Sequence, residues 1–239
     1  MIKAVVVCPP APFLIPGIAP NLRAAAGTVA QASRRAVVQL ADVDRIVVLA
    51  AAARRGRLGP GTRLSGSVFG RSDVPAVAPV NLPGAPPSHS AVSASPGAVV
   101  AGYLLDGAGI RRSTEVVDLE RGDADSAAEL LFALPDAVGI LAVADGAAAH
   151  GPGAPMAQDD RAGQVDRRLA AALAAGSPAD LATATEDDDL LTTVGVTAVE
   201  VFRALARLPA PQAAALLARD APFGVGYLVA TWDYRSAVR

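Results

Sequence analysis

The apolar positions of this chain fall into unbroken short runs and into longer stretches with helical spacing. Ala137 to Asp145 (AVGILAVAD) carries no polar side chain before its last residue and follows a turn at Leu134-Pro135-Asp136, which predicts a central strand covered on both faces. Ile2 to Cys8 (IKAVVVC) and Asp44 to Ala53 (DRIVVLAAAA) show the same near-continuous character and predict two further buried strands. Between these two, from Asn21 to about Leu40, Ala, Leu and Val alternate with Arg23, Gln31, Arg34 and Arg35 as on an amphipathic helix, with Asn21 as N-cap after Pro20. Strand, helix and strand joined by a right-handed crossover predict a parallel pair.

The remaining pattern continues the alternation. Arg54 to Pro87 is rich in Gly and Pro and reads as a long excursion, with a short alternating piece, Thr62 to Phe69, as a hairpin. Ser95-Pro96 opens a helix through Leu105, Thr114 to Leu119 is a short strand, and Asp123 to Leu134 is a helix leading into the central strand. Gln158 to Ala175 predicts a helix with Arg161, Arg167 and Arg168 outside and Val165, Leu169 and Leu173 inside, ended by Gly176. Ser177-Pro178 starts a short helix, and the acidic run Glu186 to Asp189 caps another. Val196 to Leu208 and Pro211 to Ala218 read as helices, and Phe223 to Trp232 as a glycine-interrupted final strand. The order predicts an α/β fold: one domain, with a mainly parallel central sheet flanked by helices.

Composition narrows the picture. Apolar residues make up 52% but aromatics only 4%, so the core must be built from Ala, Val and Leu with close helix-to-sheet packing. A net charge of −2 gives no basic face for nucleic acid. The single cysteine, Cys8, excludes an intrachain disulfide, suits a cytoplasmic location and reads as a buried small hydrophobe. No apolar run approaches a membrane span of about 20 residues, and the first residues lack the longer apolar core of a secretion signal. A nucleotide-binding reading has little support, because no G-x-G-x-x-G follows the first strand and no Walker A sequence occurs.

Candidate chemistry sits where strands end, since ligands of open α/β sheets lie beyond their carboxyl ends. Asp145 and His150 follow the central strand. Two readings stay open for them: a site, or a turn at Asp145-Gly146 followed by a solvated His150. Pro9, Pro10, Pro12 and Pro16 make a rigid loop after the first strand, with Phe13 available to line a pocket or to pack on the sheet. His89, the only other histidine, lies in a Pro/Ser stretch and reads as a surface residue.

Three segments together resemble the LigB-type class III extradiol ring-cleavage dioxygenases: Val7-Cys8-Pro9-Pro10-Ala11-Pro12-Phe13-Leu14-Ile15-Pro16, Ala144-Asp145-Gly146-Ala147-Ala148, and Asp220-Ala221-Pro222-Phe223-Gly224 running on to Trp232. The resemblance, spread over nearly the whole chain, implies the subunit-B-like α/β fold and a tendency to self-associate. It also implies Fe(II) held by two histidines and a glutamate, with a further histidine as acid/base. This chain departs from that pattern. Pro9, Pro10 and Ala11 stand where the first metal-binding histidine is due, and Ala51, Ala52, Ala53, Arg54 and Arg55 where the second is due. His150 lies near the place of the acid/base histidine, and Glu200 is the nearest candidate for the carboxylate ligand, or else an outward ion-paired glutamate.

The expectation is therefore a member without iron, no cofactor and no metal ligands, acting as a small-molecule-binding or interaction protein. Its ligand would lie in the cleft at the strand ends near Pro10, Phe13, Asp145, His150 and Glu200. The alternative is an active oxidoreductase or metal-dependent enzyme on an aromatic or related molecule. There Fe(II) or another metal is held by His150 with Asp145, Glu200 or Asp160, or His150 acts as general base with Asp145 orienting it. Neither nucleic acid nor membrane is an expected partner; a second copy of the chain is.

Overall fold

The computed structural model describes residues 1–70 and 91–235. Its strands are β1 (Ile2–Cys8), β2 (Arg45–Ala51), β3 (Gly56–Leu58), β4 (Arg63–Leu64), β5 (Ala91–Val92), β6 (Ser113–Leu119), β7 (Val138–Val143), β8 (Ala213–Asp220) and β9 (Tyr227–Asp233). Its α-helices are α1 (Pro20–Ala25), α2 (Gly27–Val37), α3 (Pro96–Gly107), α4 (Ala124–Ala133), α5 (Ala162–Ala175), α6 (Pro178–Ala184), α7 (Asp188–Thr193) and α8 (Val199–Ala206). Seven strands form one mixed sheet in the order β3-β6-β2-β7-β1-β9-β8. The four inner strands β6, β2, β7 and β1 are parallel; β3 and β9 run antiparallel to their neighbours β6 and β1. This is the expected α/β architecture.

Successive side chains of a strand face opposite sides, and the two cores follow that period. Val5, Val7, Val47, Leu49, Ile140 and Ala142 meet α4, α5, α6 and α8 on one face. Val6, Cys8, Ile46, Val48, Leu141 and Val143 meet α2 and α3 on the other. Small residues allow close approach: a Cβ on Gly97 of α3 would lie 3.0 Å from the Ala50 Cβ. Trp232, fully buried, donates its indole N–H to the Leu173 carbonyl (2.8 Å) and ties β9 to α5.

Several local signals hold. Ser95, Ser177 and Asp187 cap α3, α6 and α7 through the Ala98, Asp180 and Leu190 amides (3.2, 3.2 and 2.9 Å). Gly176 ends α5 in the left-handed conformation (φ 60°). Cys8 is buried, and desolvation pushes its thiol up to about 12.

Other expectations need correction. The first two strands are parallel but not adjacent, because β7 pairs with both. The strand apolar on both faces takes the middle of the sheet. The helix expected from Asn21 to Leu40 is broken at Ala26-Gly27 and closes in a 3₁₀ turn, Val38–Leu40. Pro20 takes the first helical position, so the capping place falls to Ala19 (φ 45°) rather than Asn21, and no side chain caps it. Thr62 to Phe69 is not a hairpin: β4 pairs in parallel with the distant β5, and Gly66–Phe69 is a 3₁₀ turn. Pro211 to Ala218 is not a helix, since Ala213–Asp220 pairs antiparallel with β9 and that pairing overrides the helix preference of Ala and Leu. The last strand begins at Tyr227, after a turn in which Gly224 has φ 73°. His89 lies outside the described residues.

Candidate functional site

The loop after β7 is built by backbone pairing across the sheet edge. Ala144 N–H donates to the Cys8 carbonyl (2.9 Å), which carries the chain one residue beyond the strand to Asp145. Gly146 N–H then donates to the Gly226 carbonyl (2.6 Å), Gly226 N–H to the Ala147 carbonyl (2.8 Å), and His150 N–H to the Gly224 carbonyl (3.0 Å). Residues 145–150 are thus laced to the β8–β9 turn.

Into this lacing α5 inserts one carboxylate. Asp166 Oδ1 accepts the Ala147 amide (2.8 Å), and Oδ2 lies 2.7 Å from the His150 Nε2. A Cβ added to Gly146 would stand 2.1 Å from Oδ1, and one added to Gly226 only 1.6 Å from Oδ2. The two glycines leave the space that the carboxylate fills. The Asp166 side chain is 5% exposed and that of His150 19%. Burial pushes Asp166 up from the usual carboxylate range, while the Ala147 amide, His150 and the Arg219 charge pull the other way. In the neutral tautomer that donates Nε2–H to the carboxylate, Nδ1 is the nitrogen that carries the lone pair. The ring borders a cleft of about 340 Å³, lined also by Gly163, Arg167, Arg219 and Asp220.

Asp145 lies on the inner side of the same loop. Burial pushes its carboxyl up to about 7, with the Asp166 charge adding to the effect and the Thr197 hydroxyl, 3.4 Å away, opposing it. Tyr227 is pushed up to about 12, by burial first and the Asp145 charge second. Its ring meets Phe13 edge-on (centroids 5.2 Å, 79°), and Phe223 completes the cluster.

The structure therefore brings Asp145 and His150 to one strand-end region, with Asp166 bonded to His150 and Thr197 to Asp145. Pro10 is half-buried at the end of β1, and Phe13 is packed inside the aromatic cluster as part of the wall. Glu200 is engaged elsewhere: Oε2 accepts the Ala124 amide at the start of α4 (3.2 Å), and Oε1 accepts from Arg203 (3.1 Å). Asp160 is exposed and accepts from the Gln158 amide.

Asp166 has a signal in the sequence. Ala162, Val165, Leu169 and Leu173 define the buried stripe of α5, and Asp166 stands on it, a charged residue at an apolar position. Arg219 had no such signal, because the strand that carries it has a helix-forming sequence.

The iron site implied by the family resemblance can be tested on the donors present. Proline and alanine side chains at the ends of β1 and β2 offer no lone pair, and Glu200 is held by α4 and Arg203. Among the described residues no three His, Cys, Asp or Glu side chains converge as metal ligands. The residues do not fit a two-histidine, one-carboxylate iron centre.

Fold and site together define an α/β protein with a mixed seven-stranded sheet and a His–Asp pair at the strand ends. Among solved structures it is similar to the uncharacterized protein JW3007 from Escherichia coli K12, with a TM-score of 0.56 and 10% identity over 96% of this chain and 99% of that one. At that identity the likeness shows the fold alone. No protein-family model and no curated protein matches the chain.

Proposed function

We propose that this chain is a small-molecule-binding protein on an extradiol-dioxygenase-like scaffold that does not use iron, its ligand seated beside His150 at the carboxyl ends of β7 and β8. The observation that carries the reading is the His150–Asp166 pair: a nearly buried carboxylate, wedged between two glycines, holds an imidazole at the edge of a cleft. An empty scaffold does not require that fit, whereas a site that uses an imidazole at the edge of a cleft does. The donor set at the strand ends supports the non-iron part of the reading. A cytoplasmic location and self-association belong to the same reading. No helix among the described residues is long and apolar enough to cross a membrane.

A second reading, an enzyme with its site relocated to His150, draws on the same pair, because a carboxylate that fixes the tautomer makes the free Nδ1 a general base. Metal analysis of protein purified without chelator, with oxygen uptake on catechols, separates the proposal from the metal-dependent form of the second reading. Metal-free protein with no oxygen uptake is the expected result. Stoichiometric iron that is lost in His150→Ala overturns the proposal in favour of the second reading. Sedimentation velocity tests the self-association.

A further inference from the structure

Resting on the proposed binding cleft, we infer that its ligand carries a small oxyanion, a carboxylate or a phosphate, held by Arg167 and Arg219 next to the His150 ring. Both arginines line the cleft, and both are exposed. Neither makes a hydrogen bond or an ion pair with another described residue. The arginines bordering two other clefts are paired: Arg55 with Asp123, Arg57 with Glu115, and Arg121 and Arg203 with Asp188. At the His150 cleft two guanidiniums border the cavity with no hydrogen-bond or ion-pair partner among the described residues, and guanidinium is the side chain best shaped for an oxyanion.

The surroundings favour the same sign of ligand. A Cβ on Gly163 would lie 3.5 Å from the Arg167 Nη1, in ordinary contact, so this arm runs back over the first turn of α5 toward the cleft. That turn holds no acidic residue, so the positive end of a 14-residue helix adds to the guanidinium charges. The Asp166 carboxylate is already occupied by the Ala147 amide and His150. Asp220 opposes at the rim, with Oδ1 accepting the Ala221 amide (2.8 Å). Arg167 and Arg219 are offset by Asp220 and by the Asp166 charge, which acts on Arg219, and this balance suits a single small oxyanion and disfavours a polyanion. Placed there, the anion sets the remainder of its molecule within reach of the His150 Nδ1.

The test titrates the intact chain with sodium phosphate and, separately, sodium acetate, at constant ionic strength kept with sodium chloride. The His150 imidazole resonances are followed, assigned against His89 by a His150→Gln spectrum. The expected result is a saturable shift with at least one of the two anions, weakened about ten-fold or more in Arg219→Gln and in Arg167→Gln. Thermal unfolding of both variants should match the parent, since both side chains are exposed. Response to phosphate alone assigns a phosphorylated ligand, and response to acetate alone a carboxylate. A shift that only tracks concentration linearly, or saturable binding that both arginine variants retain, overturns the inference. Catechol serves as a neutral probe in parallel: saturation by catechol with neither anion bound overturns the oxyanion and leaves the proposed function standing, while silence toward all three sinks both.

Discussion

Gly226→Ala isolates the feature on which the site is built. The added methyl carbon would stand 1.6 Å from Asp166 Oδ2 and 2.5 Å from its Cγ, where ordinary contact begins at 3.4 Å. Asp166 is a short, nearly buried side chain and cannot swing into solvent without leaving the Ala147 amide and the His150 ring. Losing hydrogen bonds to a charged group costs about 1.5–3 kcal/mol, and crowding a packed interior adds about 1–3 kcal/mol, so the substitution should destabilise by about 3–5 kcal/mol. In an Asp166→Ala background the methyl enters vacated space, and its cost should fall to about 1 kcal/mol or less. Urea unfolding of the four proteins of this cycle can be followed by fluorescence of Trp232, the only tryptophan and fully buried. An equal cost of Gly226→Ala in both backgrounds would refute the argument that the carboxylate is the reason for the glycine.

Asp145 gives a pH signature. Its folded-state pKa, about 7, lies above the ordinary 3.8, so the folded chain holds the proton more tightly and stability falls as pH rises from about 4 through 7. Asp145→Asn should remove that fall and gain on the parent by up to about 4 kcal/mol between pH 4 and pH 8; parallel stability curves in urea would contradict the assignment. Glu200→Ala leaves the Ala124 amide without its acceptor and removes one of the acceptors of Arg203, which keeps Asp188 and the Thr185 carbonyl, and should cost about 1–3 kcal/mol by thermal unfolding, with Glu200→Gln costing less; a neutral Glu200→Ala would show that the cap on α4 carries no weight. Cys8 is fully buried with its thiol pushed up to about 12, so a disulfide reagent at pH 8 should label it at the rate of global unfolding, and prompt labelling of the native chain would contradict its placement.

The sequence by itself determined the elements whose signal is local. Ile2–Cys8, Arg45–Ala51 and Val138–Val143 are strands because their apolar runs are nearly continuous and short, Ser113–Leu119 is a short β-branched segment, and the Ser95, Ser177 and Asp187 caps lie within three residues of the amides they bind. It also placed Asp145 and His150 after β7 and showed that histidines are missing from the ends of β1 and β2. Tertiary structure decided the rest. An apolar run does not say which neighbour it will pair with, so the entry of β7 between β1 and β2 was hidden, and Ala213–Asp220 became a strand only because β9 lies beside it. The partner of His150 was hidden for the same reason. Asp166 stands 16 residues away, and two glycines 80 residues apart, Gly146 and Gly226, have to meet before its carboxylate has a place to sit. Hydrophobic period is written in adjacent residues, whereas the fit of one charged group into a gap depends on chain segments that only folding brings together.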